Sequence, residues 1–331
     1  MLTGRRYLAA CSGGSSFFSA TNFLKLYKLR HFLIVIIALE MLVFSSQAEA
    51  LHVTILSAEK ADAYQEFSAS FKAELLHHNS GLNISESDTL PAVTDLIIAV
   101  GIKAALIASE GKFSVLCVLV SKAGFQKFIS ELPADKKNKP ISAIYFDQPI
   151  KRQIALVAAA LPDARNIGLL YSGHSVDIAN YRKAISENGL VVTEQKLESA
   201  ESLFRELETV LDKSSVLLTI PDVTIYNSFT IRNILLTTYR YKIPVVGLSP
   251  AYVRAGALFA VSSSPEQIAV QAANMSLRFL ASGILPLSQY PSDFNVTSNL
   301  QVARSLGIRL KKDAEILKEI KEAENFDRGG E

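Results

Sequence analysis

From Leu51 onward, short apolar runs alternate with amphipathic stretches, and this rhythm restricts the chain to very few folds. Strands that run parallel cannot be joined by tight hairpins, so each needs a crossover, most often a helix. LHVTILS reads as a first strand, and Ala61 to His77 as a helix with Tyr64, Phe67, Phe71 and Leu75 on one face. TDLIIAV, FSVLCVLV and ISAIYF follow as strands, with helices from Gly101 and Lys122, so one lobe is accounted for by Phe146.

A second run begins after Pro149. The pattern predicts helices from Ile150 to Ala160, Ile178 to Asn188, Ala200 to Leu211 and Tyr226 to Tyr239, between the strands NIGLLYS, LVVTEQ, SSVLLTI and IPVVGLS. Then come the strand GALFAVS, a helix with Ser264 as N-cap and Gly283 as C-cap, the short strand SDFNVTSN, and two closing helices in LQVARSLGI and DAEILKEIKEAE. The expected fold class is α/β, with two doubly wound parallel-sheet lobes joined by crossover strands into a clamshell. Its expected boundaries are 51–146 for the N-terminal lobe, completed by part of 285–331, and 147–284 for the C-terminal lobe. Residues 285–331 supply the crossover strand and closing helices.

The first 50 residues are expected to stand apart as a leader. Lys25, Lys28 and Arg30 precede HFLIVIIALEMLVF, and SSQAEA then ends in Ala48-Glu49-Ala50. A basic start, a short apolar run and an A-x-A site predict a secretory signal peptide cleaved near Ala50 and a periplasmic product. An uncleaved anchor is the competing expectation. Leu8-Ala9-Ala10-Cys11 resembles an acylation box but lacks an apolar run before it. Without residues 1–50 the 34 Lys and Arg fall to 29 and the 32 acids to 30, so the balance moves from +2 to −1. That charge carries no signature of a nucleic-acid partner. Cys117 would be the one remaining cysteine, which leaves no internal disulfide.

Ligands of open α/β sheets bind at the carboxyl ends of the strands. The loops there are Ser57 to Lys60, Gly101 to Ala104 and Ser121 to Gly124 in the first lobe. In the second they are Ser172 to Ser175, Pro221 to Thr224 and the small-residue loop Ser249 to Arg254. Ser249, Tyr252 and Arg254 offer a hydroxyl, a phenol ring and a fixed charge, groups suited to binding. Each candidate also has a structural use: Ser57 and Ser121 as N-caps, Gly101 as a turn, Asp222 as a helix start, and Tyr252 and Arg254 as surface groups outside the cleft. His52, His77, His78 and His174 show no metal-ligand spacing apart from one adjacent pair, and no P-loop, G-x-S-x-G or G-x-G-x-x-G occurs. No cofactor, metal or catalytic residue is expected.

The ordered segments DLIIAVGIKAA, SAIYFDQP, LPDARNIGLLYS, IPVVGLSPAYVRAGAL, SSPEQIAVQAA and NLQVARSLGI resemble the substrate-binding proteins of ATP-binding-cassette transporters. The resemblance is to the type 1 periplasmic-binding branch with tryptophan- and tyrosine-binding members. It implies an exported two-lobed receptor that closes on a small polar or zwitterionic, amino-acid-like metabolite and presents it to a membrane permease. The alternative is a ligand-sensing partner of a signalling or outer-membrane uptake system. An enzyme using Asp222 or His174 as acid or base has less support. Ser57, Gly101, Lys103, Ser121, Tyr171, Ser175, Asp222 and Ser249 carry over as ligand-binding positions. A carboxylate would sit on the helix starts at Ser57 or Gly101, an ammonium on Asp222, and a ring against Tyr171 or Tyr252. Gly101-Ile102 stands where relatives read Gly-Thr, SKAGF where many have an Asp-Pro turn, and SAIYFDQP where they have a glycine-rich NVTG-like crossing.

Overall fold

The computed structural model describes residues 51–136, 138–172 and 177–329, with side chains through Asn325. The leader and its cleavage site lie outside the described residues. The first half of the rest runs β1 (His52–Ser57), α1 (Asp62–His78), β2 (Asn83–Ser87), β3 (Leu96–Val100), α2 (Ile102–Ser109), β4 (Ser114–Val120), α3 (Lys122–Glu131) and β5 (Ile141–Tyr145). Its five strands are parallel in the order β2-β1-β3-β4-β5. Alternation along each strand feeds two cores. Val53, Ile55, Ile98, Leu116 and Val118 pack on one face, and Leu56, Ile97, Ala99, Val115 and Cys117 on the other. A parallel sheet covered on both faces is the arrangement such continuous apolar strands require. Burial of Cys117 in β4 pushes its thiol well above the ordinary range, so it is chemically quiet.

The second half runs α4 (Ile150–Ala160), β6 (Asn166–Tyr171), α5 (Ile178–Glu187), β7 (Val191–Lys196), α6 (Leu203–Leu211), β8 (Val216–Leu218), α7 (Ile231–Arg240), β9 (Val245–Gly247), α8 (Pro250–Ala255) and β10 (Phe259–Ser262). Its sheet repeats the first lobe's order as β10-β9-β8-β6-β7, and β11 (Asn295–Ser298) adds an antiparallel edge against β10. The α/β expectation of two doubly wound sheets therefore holds. Among the described residues no helix is long and apolar enough to cross a membrane.

Three local expectations change. β2 has the sequence NISES, too polar to be read as a strand, yet it pairs with β1 from His52↔Asn83 to Leu56↔Ser87 as an edge. The loop expected at Ser249 to Arg254 is the helix α8, with Ser249 in the N-cap position and Pro250 in its first turn. The helix expected from Tyr226 begins at Ile231.

The larger change concerns which lobe owns the last helices. α9 (Pro265–Ser282) was expected in the C-terminal lobe, but Ile268, Ala269, Ala272, Met275 and Phe279 share the core of the N-terminal lobe with Phe67, Phe71 and Leu75 of α1. The physical reason is complementary shape. Ala269, Ala272 and Ala273 let α9 approach closely, while the Phe67 and Phe71 rings, 5.7 Å apart, fill the space between. Ser264 and Gly283 do cap α9: Ser264 and Gln267 form a capping box, and Gly283 adopts a left-handed φ of 71°. Conversely, α10 (Leu300–Leu306) and α11 (Asp313–Gly329) join the C-terminal lobe, with Ala303, Ile316 and Ile320 in its core. Of the residues from 285 onward, Ser288 and Gln289 line the N-terminal edge: Gln289 N–H donates to the Ala143 carbonyl at 2.9 Å, and the Ala143 N–H to Ser288 Oγ at 3.0 Å.

The chain thus passes between the lobes three times, through residues 146–149, at Ser263, and through residues 290–294. One buried side chain binds two of them directly and reaches the third through Gln148. Arg152, 2% exposed, sends Nη1 to Gln148 Oε1 at 2.7 Å and to the Pro291 carbonyl at 3.0 Å. Gln148 Nε2 in turn donates to Ser263 Oγ at 3.0 Å, and Ser263 Oγ to the Asp293 carbonyl at 2.6 Å. The guanidinium lies 3.8 Å from the Phe294 ring centroid and pairs with Glu324 of α11 at 2.5 and 3.1 Å. A planar, always-charged fork suits such a junction, because its five donors are directed at fixed angles.

Candidate functional site

Beside these crossings lies a cavity of about 160 Å³ between the lobes. Lys122 and Gln126 of α3 form its N-lobe wall, Phe146, Asp147 and Gln148 its hinge, and Gln153 of α4 with Asn180 and Tyr181 of α5 its C-lobe wall. Pro221 and Leu248, at the ends of β8 and β9, and Tyr290 of the third crossing add to it, and Asp177, the N-cap of α5, places a second carboxylate on the C-lobe wall. Two more open grooves are larger, about 820 Å³ around Ser57, Tyr64 and Lys72 and about 540 Å³ along α9. The first draws all its lining from N-lobe elements and the second from α9 and the segment after it. The cavity whose walls come from both lobes is therefore the stronger candidate despite its size.

Local backbone geometry aims α3 at this cavity. Leu119 adopts a left-handed φ of 53°, and the β4 to β5 register shifts between Val118 and Val120. A bulge of this kind turns a strand end away from its ladder and often marks a working edge. The chain then enters α3, where Ser121 Oγ accepts the Gly124 N–H at 3.0 Å and Asp147 Oδ2 accepts the Lys122 N–H. Those two bonds satisfy the helix start internally, so it is not a vacant anion site.

The electrostatics of the cavity centre on Asp147. Burial pushes its carboxyl above the ordinary carboxylate range, and the Lys122 N–H and ammonium only partly offset this. Burial also raises the Tyr181 phenol, with further contributions from the nearby Asp147 charge and from Tyr290. Aromatic groups build one side: Tyr145 and Tyr290 meet edge to face at 5.4 Å, and Lys122 Nζ sits 5.2 Å from the Tyr290 ring centroid. Gln153, 6% exposed, contributes an amide whose Oε1 has no hydrogen-bond partner. An oxygen left in that state costs the fold about 1–3 kcal/mol. The cavity therefore offers the partly buried Asp147 carboxylate, the more exposed Asp177 carboxylate that caps α5, a positive charge, aromatic surface and an unused amide.

The positions expected from the sequence fall elsewhere. Asp222, 3% exposed, is largely engaged within its own lobe: Oδ2 accepts Ser172 N–H and Oγ–H, each at 2.7 Å, and Oδ1 accepts Thr224 N–H at 3.1 Å. It ties two loops together instead of waiting for an ammonium. Tyr252 Oη donates to the Tyr226 carbonyl at 3.2 Å, and α8 packs so close to β9 that a Cβ on Gly247 would meet Tyr252 Cβ at 2.5 Å. Ser249 begins α8 without a side-chain capping bond, and Arg254 is exposed on the same helix. Tyr171 ends β6 and packs on the C-terminal core.

In the N-terminal lobe, Ser57 Oγ donates to the Glu59 carbonyl at 2.9 Å, so Ser57 caps no helix. Gly101 precedes α2 with a φ of 83°, and a Cβ there would strike Tyr64 Oη at 2.4 Å. Lys103 is exposed and pairs with Glu59 at 2.5 Å, which raises its pKa. Ser57 lines the larger groove, Ser121 caps α3, and Ser175 and His174 lie outside the described residues. The anticipated loops do border the cavity at Lys122, Pro221 and Leu248, each one residue away from Ser121, Asp222 or Ser249. Asp147, Gln153, Tyr181 and Tyr290 were missed. The one sequence signal near them was FDQP replacing a glycine-rich crossing. Among the described residues no group of His, Cys, Asp and Glu could hold a metal ion.

Comparison with known proteins agrees with this architecture. The chain is similar in fold to a ligand-free, open substrate-binding protein with adhesive properties from Clostridium difficile, with a TM-score of 0.63 and 18% identity over 80% of this chain and 97% of that one. It is similar to an ABC domain from Streptococcus pneumonia in complex with L-Trp, with a TM-score of 0.57 and 16% identity over 82% and 98%. A conserved domain protein from Vibrio cholerae gives a TM-score of 0.55 and 17% identity over 81% and 98%. No curated protein matches by sequence. The family model described as ABC transporter substrate binding protein matches residues 85–323, most of the chain and both lobes. The protein belongs to the ABC transporter substrate-binding protein family.

Proposed function

We propose that the protein is exported to the periplasm by its leader and captures a small zwitterionic, amino-acid-like solute in the cavity between the lobes. Substrate-binding proteins of this family bind small ligands and deliver them to ABC transporter permeases, and the family is not one of enzymes. The supporting observation for the solute class is the pairing of opposite charges, Asp147 and Lys122, with Tyr290 in one cavity. A solute ammonium pairs with Asp147, its carboxylate with Lys122, and its side chain lies against Tyr290 and Phe146. The cavity falls below the roughly 300–1,000 Å³ of drug-sized pockets, in keeping with a single amino acid. The L-Trp complex of the Streptococcus relative is consistent with this class.

Because the walls belong to different lobes, a solute touching both favours their approach by its differential affinity for the closed arrangement. Mass spectrometry of solute retained through purification tests the class directly, alongside thermal unfolding with amino acids and sugars. At 100 times its Kd a ligand stabilises by about 2.7 kcal/mol, a shift of several degrees. A sugar that shifts melting where every amino acid fails would replace this reading. N-terminal sequencing of the mature protein tests export: a start at Leu51 is expected, and a retained leader would refute cleavage.

A further inference from the structure

Among the described residues two buried side-chain atoms lack a hydrogen-bond partner, Ser142 Oγ and Gln153 Oε1, and of these residues only Gln153 lines the cavity. A carbonyl oxygen so placed is costly to keep, and an apolar side chain of similar length would remove the cost. The surroundings make no use of the amide: its neighbours along α4, Ile154 next in sequence and Val157 one turn on, are plain core residues. The cavity that Gln153 lines is the nearest place from which a new donor can reach it, once the amide turns.

We propose that Gln153 is a specificity-determining residue, whose side-chain carbonyl accepts an N–H from the solute's primary ammonium beside the Asp147 carboxylate. The inference rests on the zwitterionic solute proposed above. The chemistry follows from counting donors. An ammonium carries three, so it can serve Asp147 and Gln153 together, whereas a hydroxyl in the same place carries one and leaves a buried acceptor unmet. Rotation of a glutamine amide about χ3 is soft, so the oxygen can turn to meet a donor. The pair of acceptors thereby separates an amino acid from its 2-hydroxy acid, where charge attraction alone gives a less specific preference.

The test uses the mature chain with L-amino acids and their matched 2-hydroxy acids as probes, read by thermal unfolding and calorimetry. The wild type should bind at least one amino acid and discriminate against its hydroxy acid. Gln153→Met should weaken that amino acid about 10- to 100-fold and narrow the gap to the hydroxy acid. Gln153→Glu, which retains the acceptor, should preserve the gap. Without solute, Gln153→Met should melt at or above the wild-type temperature, since it removes an unpaired oxygen. A Gln153→Met variant that keeps the wild-type gap, or that melts well below wild type without solute, overturns the role of Gln153 alone. A wild type unresponsive to every amino acid overturns the solute class as well.

Discussion

Asp222 and Asp147 are two carboxylates just beyond strand ends, one buried beside the cavity-lining Pro221 and one in the cavity wall, and they do opposite things. Asp222 receives three hydrogen bonds from its own lobe, so most of its acceptor capacity goes to holding loops together. Asp147 takes one, from the Lys122 N–H, and sits where burial disfavours its charge. The difference teaches that a residue's type states what it could bind, while its remaining hydrogen-bonding capacity states whether it is free to do so. The same contrast separates Tyr252, whose hydroxyl is tied to Tyr226, from Gln153, whose amide oxygen is not tied at all.

The largest expected effect tests the junction between the lobes that carry the two carboxylates. Arg152→Ala should cost about 3–5 kcal/mol in urea unfolding, because Glu324 and Gln148 lose their shared partner in a buried setting. A loss under 1 kcal/mol would mean the junction is dispensable. Next, Asp222→Ala should cost about 2–3 kcal/mol by stranding Ser172 and Thr224 donors, with solute affinity of the folded protein little changed. Asp147→Asn inverts that result: stability at neutral pH equal to or above wild type, and affinity for a cationic solute reduced about 10- to 100-fold. If both variants lost affinity equally, the contrast between the two sites would collapse.

Acidification sharpens the comparison further. The folded pKa of Asp147 is raised, so its neutral form is the one the fold prefers. Its contribution to stability is present below the unfolded carboxylate pKa and disappears as pH rises through the folded one. Solute affinity should move the other way, falling with pH already above the ordinary carboxylate range and flattening in Asp147→Asn. Smallest of all, Tyr252→Phe should cost about 0.5–1.5 kcal/mol and leave affinity unchanged, measurable by denaturant midpoint and calorimetry.

The inner strands of the sheets were legible because LHVTIL, DLIIAV and VLCVLV in the first and NIGLLY in the second read as buried parallel strands. β2 was hidden, since NISES carries one apolar residue and its strand state comes from pairing with β1. The helix α8 was readable in principle from Ser249-Pro250, an N-cap followed by proline, but its small residues suggested a loop. Helix α9 was found with both caps, while its lobe was not, because an amphipathic face does not say which sheet it will cover. The site was the least legible part. Gln153, Tyr181 and Tyr290 come from three distant segments, and nothing local distinguishes Gln153 from any polar residue on an amphipathic helix.

Arg152 also fixes where the lobes can turn. Any rotation of one lobe against the other has to pass through the three crossings, so its axis runs close to the guanidinium that binds them. Points near an axis travel little, and points far from it travel a long way. The cavity includes Gln148 itself and so lies at the short end of that lever, while Ser57, at the end of β1, sits three strands from the hinge-side strand β5 and travels farther. A solute no larger than an amino acid can therefore stay in touch with both lobes through much of the swing, and a small gain in contact near the pivot becomes a wide displacement at the rim.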